Sequence, residues 1–119
     1  MRSLCFALPV AAILFTPAAA NGGRPPGCPY LWCGCWLSIE LFGRNDRALW
    51  WVPNWLKFPR TDPAPGAVAI IRRGGRPGHV GVVVGFNGKD PIIKSGNHNR
   101  RVGVATYPAR TIIAYVNPR

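Results

Sequence analysis

The hydrophobic and polar positions change period about halfway along the chain. The run Trp36-Leu37-Ser38-Ile39-Glu40-Leu41-Phe42 closes on Gly43. It predicts a helix over roughly 33–42 with Gly43 as its C-terminal cap. Cys33, Leu37 and Leu41 share one stripe of that helix by the i, i+4, i+8 rule, flanked by Trp36 and Ile39. Glu40 sits two turns from the thiol and reads as structural. Residues 44–62 hold Trp50-Trp51-Val52-Pro53-Asn54-Trp55-Leu56-Lys57-Phe58. This stretch predicts a short helix interrupted by Pro53, or a packed loop. Its aromatics read first as core filling and second as a substrate platform.

From Ala67 the pattern is that of strands. Five short β-like runs follow: Ala67–Arg72, His79–Phe86, Pro91–Ser95, Val102–Thr106 and Thr111–Val116. Gly74-Gly75, Asn87-Gly88, Gly96 to Arg100 and Pro108 separate them. That spacing predicts one antiparallel sheet curled into a small partial barrel. With the helix ahead of the sheet, the fold class is α+β.

The first 20 residues stand apart. Arg2, the apolar run Leu4 to Phe15, Pro17 and Ala18-Ala19-Ala20 form a secretory signal, cut most simply after Ala20. An uncleaved N-terminal anchor is the alternative. Cleavage leaves 99 residues (119 − 20), enough for one small domain. Residues 21–31, rich in Gly and Pro, form a leader, and 32–119 form the domain. The expected location is the periplasm or the outside of the cell, with no stable membrane insertion once the signal is removed.

Charge adds a partner class. Without Arg2 the chain carries 14 basic and 4 acidic residues, a net +10. Such an excess favours an anionic partner. Secretion argues against nucleic acid and for an anionic envelope polymer, with plain solubility as the alternative. Cysteine adds chemistry. Cys5 leaves with the signal, so Cys28, Cys33 and Cys35 remain, an odd number in an oxidising compartment. Pairing of Cys28 with Cys35 would leave Cys33 free and add about 2.5 kcal/mol by loop closure. A zinc site built from these three cysteines and a histidine has poor spacing, so no metal and no cofactor is expected.

A thiol at the first turn of a helix meets unpaired N–H groups and the positive end of the helix dipole, which favour thiolate. Cys33 is therefore the candidate nucleophile, with Cys35 as the alternative. In the run His79-Val80-Gly81-Val82-Val83-Val84-Gly85, alternation sets His79, Gly81, Val83 and Gly85 on one face. Val80, Val82, Val84 and Phe86 take the other. Glycines allow close approach, and a helix carrying Cys33 would fit that groove. His79 is the candidate base. Asn87-Gly88 signals a hairpin, whose closure puts residue 96, 97 or 98 opposite His79. Asn97 is the expected orienter of the imidazole, with His98 or a backbone carbonyl as alternatives.

These stretches resemble a family. Trp32-Cys33-Gly34-Cys35-Trp36, Pro65-Gly66-Ala67-Val68, Gly78-His79-Val80-Gly81-Val82-Val83 and Ser95-Gly96-Asn97 look like the small NlpC/P60 and CHAP cell-wall hydrolases. The resemblance spans roughly residues 29–117. It implies a papain-like cysteine amidase or peptidase in which Cys33, His79 and Asn97 perform acyl transfer on the peptide part of peptidoglycan. The chain departs from that pattern at Ala67, where Asp is common. A non-catalytic basic envelope-binding protein retaining the fold is the rival expectation.

Overall fold

The structure, a computed structural model, describes residues 22–119. The signal segment expected at 1–20 lies outside the described residues. Helix α1 (Cys33–Phe42) precedes five strands: β1 (Val68–Arg73), β2 (Arg76–Asn87), β3 (Asp90–His98), β4 (Arg101–Thr106) and β5 (Ile112–Val116). They form one antiparallel sheet in the order β4-β3-β2-β1-β5. The fold is α+β, with β4 and β5 as the edges of the sheet. Among the described residues no helix is long and apolar enough to cross a membrane.

Local chemistry explains each boundary. Gly43 takes the left-handed φ of 74° and returns its N–H to the Ile39 carbonyl, which ends α1. Between helix and sheet lie two 3₁₀ segments, Arg47–Trp50 and Val52–Lys57. Pro53 stands at the start of the second, where its missing N–H has no helical partner to lose, so it opens that segment rather than breaking it. Trp55 is fully buried, and its indole N–H donates to the Leu49 carbonyl at 2.9 Å. Phe42 and Phe58 pack around it. Core filling is thus the role of Trp55, while Trp51 remains exposed.

The sheet has apolar clusters on both faces. On one face α1 lays Trp36 and Leu37 against Val68, Ile70, Val80 and Val102. On the other, Ala69, Ile71, Val83 and Ile93 pack with Phe86, Tyr107 and Tyr115. The face of His79 and Gly81 therefore does not receive the helix; the Val80 face does. Room for α1 comes instead from Gly96 on β3, where a Cβ would stand 2.7 Å from Trp36 Cβ and 2.9 Å from the Trp32 ring. A bulge between Val83 and Gly85 then reverses the alternation. Phe86, expected beside Val80, packs with Val83 for that reason.

Candidate active site

Cys28 and Cys35 are joined as a disulfide, and Cys33 is the free thiol. This bond removes Cys35 as a nucleophile and two of the thiols that a metal site would need. No group of three potential metal ligands occurs among the described residues.

Cys33 stands at the start of α1, whose cap residue, Trp32, makes no side-chain capping bond. The thiol therefore meets uncapped amides, and backbone hydrogen bonds from Val80 and Gly34 reach its sulfur. Val80 is free to do so because the registered pairing of β2 with β3 runs only from Asn87↔Asp90 to Val82↔Lys94. Beyond that point the ladder opens, and Cys33 occupies the opening. Helix contact is tight here, since a Cβ at Gly34 would fall on the Leu49 carbonyl. The same cavity of about 240 Å³ is lined by Cys33, His79, Asn97, Trp51 and Arg73.

His79 is 2 % exposed. Its Nε2 lies 2.8 Å from Ser95 Oγ. Tyr107 stacks on its ring at 6.1 Å between centroids and 25° between planes, and the Tyr107 hydroxyl lies 3.3 Å from His98 Nδ1. The hydrogen-bond partner of the imidazole is therefore Ser95 and not Asn97. Continuing the observed register would set Asn97 opposite His79, as the hairpin predicts. But the pairing irregularity between Ser95 and His98, with Asn97 at φ 56°, takes Asn97 out of the ladder. Ser95 instead reaches His79 diagonally across Gly81, where a Cβ would come 2.8 Å from Ser95 Cβ. Asn97 still lines the cavity, and His98 reaches Tyr107 rather than His79.

Burial sets the protonation of both groups. It raises the Cys33 pKa, and the hydrogen bonds from Val80 and Gly34 and the nearby Arg73 only partly offset this. The helix start was expected to favour thiolate; desolvation outweighs it here. Burial likewise lowers His79 from 6.5 to about 3, helped by electrostatic repulsion from Arg73 and, less, from the His98 side chain. Near neutral pH the site holds a neutral thiol and a neutral imidazole. No hydrogen bond joins the two among the described residues.

The chain matches no family model, no curated protein and no solved structure. What the site offers is thus read from its own geometry: one free thiol, one uncharged imidazole held by a hydroxyl, and main-chain donors around the sulfur. That set suits proton transfer coupled to nucleophilic attack. Ser95 and Tyr107 are the residues that sequence reasoning missed. For Ser95 a signal existed, since it lies opposite Gly81 on the face of His79. Tyr107 gave none, because it follows a strand from another part of the sheet.

Proposed function

We propose that this protein is a secreted papain-like cysteine amidase or peptidase of the NlpC/P60 and CHAP kind, acting on amide bonds in the peptide part of peptidoglycan. The observation that carries the reading is the shared cavity of Cys33 and His79, with His79 Nε2 held by Ser95. With Ser95 Oγ accepting the Nε2 proton, the lone pair of Nδ1 is the base. Nδ1 takes the thiol proton as Sγ bonds to the substrate carbonyl carbon, and the carbonyl electron pair moves onto oxygen. Main-chain N–H groups at the start of α1 stabilise that oxyanion. The oxyanion collapses, the C–N bond breaks, and the leaving amine takes the proton from His79. Water then adds to the thioester, again with His79 as base, and releases the acid and the thiol.

The deciding experiment is mass analysis of purified peptidoglycan digested by wild type, Cys33→Ala and Ser95→Ala. New amine and acid ends should appear with wild type and be absent with Cys33→Ala. Ser95→Ala should slow turnover by about 10-fold to 100-fold. Equal products from wild type and Cys33→Ala would refute the hydrolase. The burial of Cys33 and the lack of a hydrogen bond between it and His79 favour a second reading, a basic envelope-binding protein without turnover. Under that reading no variant yields new ends, yet all bind the polymer.

A further inference from the structure

The turn between β3 and β4 carries an arginine at a costly position. His98 pairs with Arg101, so the turn has two residues, Asn99 at φ 52° and Arg100 at φ 67°. Both angles are left-handed, the pattern for which Asn-Gly is the favoured pair. Asn tolerates that region; a long side chain with a Cβ does not adopt it readily. Arg100 stands where glycine would relieve the backbone.

Its guanidinium has company. Arg100 and Arg24 line one cavity of about 360 Å³ together with Tyr30, Leu31, Trp32 and Asn97. No acidic side chain lines it. Leu31 and Asn97 also line the cavity of Cys33 and His79, so the two spaces are neighbours. Arg24 belongs to a leader that is tied down at both ends. The Gly22 carbonyl accepts the Val102 N–H at 2.8 Å, and Cys28 is bonded to Cys35 in α1. Two cations thus border a space walled by Trp32 and Leu31, beside the thiol.

We propose that this cavity is a subsite for the carboxylate of a peptide whose amide lies against Cys33, so that the preferred substrates are acidic peptides. The position of the amide rests on the hydrolase reading; the carboxylate site does not. Paired arginines recognise a carboxylate through charge-assisted hydrogen bonds that a neutral amide cannot replace.

The test uses Cys33→Ala protein lacking the signal, so that binding is read without turnover. The probes are blocked alanine pentapeptides with a single glutamate at each position, and their glutamine twins. Calorimetry should show at least one glutamate peptide binding ten-fold or more tightly than its twin. Arg100→Gly in the same background should abolish that preference and Arg24→Gln should reduce it. The melting temperature of Arg100→Gly should hold or rise by up to about 5 °C. Equal binding of every pair of twins overturns the subsite, as does a preference that survives Arg100→Gly. So does a melting temperature that falls by more than about 3 °C, which would mark Arg100 as a structural residue. Carboxylate-dependent binding without any turnover by wild type would sustain the subsite and refute the hydrolase. Turnover with no preference between twins would do the reverse.

Discussion

Burying an imidazole at His79 couples the fold to acid. In the folded chain this group holds a pKa of about 3, against an ordinary value of 6.5. Between those values the unfolded chain binds a proton that the folded chain refuses. Stability is full above about pH 6.5 and declines toward pH 3, by up to about 1.4 kcal/mol per pH unit. Cys33 acts at the other end. Its raised pKa keeps the proton on the folded protein above 9.0, where the unfolded thiol ionises, so stability declines again in strong alkali. Urea midpoints measured at pH 7, 5.5 and 4 should fall steadily for wild type. In His79→Gln that slope should flatten; an unchanged slope would place the acid sensitivity elsewhere. Cys33 and His79 were both legible in the sequence, because Cys33 opens α1 and His79 heads a glycine-spaced apolar run within β2. Ser95 was not singled out. Its place opposite Gly81 follows from hairpin register, but its bond to His79 depends also on where the β2–β3 ladder opens, which the register alone does not record.

At the scale of elements, the approach of α1 to the sheet depends on one missing side chain. Gly96 presents bare backbone beneath Trp32 and Trp36, and a methyl group there would stand inside 3.0 Å of both. Gly96→Ala must therefore push the start of α1 outward or unseat two indoles. Overpacking of this kind costs about 1–3 kcal/mol. A fall in melting temperature of several degrees is expected for a domain of this size. Loss of Cys33 burial, read as faster alkylation by iodoacetamide, should accompany it. A stable variant with wild-type alkylation would show that α1 does not rest on this contact. The helix ends and the five strands were readable from period and turn residues. Which face of β2 would take the helix was not: His79 and Gly81 suggested a groove, whereas Gly96 on the next strand supplies it. A glycine advertises space only once its neighbours across the sheet are known.

For the molecule as a whole, charge decides encounter rather than fold. Residues 21–119 carry 14 basic and 4 acidic residues, and Arg24, Arg73, Arg76 and Arg100 lie around the two neighbouring cavities. Attraction of this kind is screened within about 10 Å at 0.1 M salt. Cosedimentation with peptidoglycan should accordingly drop between low and high sodium chloride, equally for wild type and Cys33→Ala. Retention that ignores salt would point to contacts other than charge. The disulfide has a different consequence, one of order in time. Cys28 bonds Cys35 across Cys33, so the free thiol lies inside the very loop that the bond closes. As the new chain oxidises, Cys33 competes for Cys28, and the shorter loop wins some of those encounters. Each such mispairing must be undone by exchange before α1 can seat on the sheet. The residue proposed to do the protein's chemistry is thus a competitor for its disulfide, and Cys33→Ala is expected to reach the Cys28–Cys35 pairing faster than wild type.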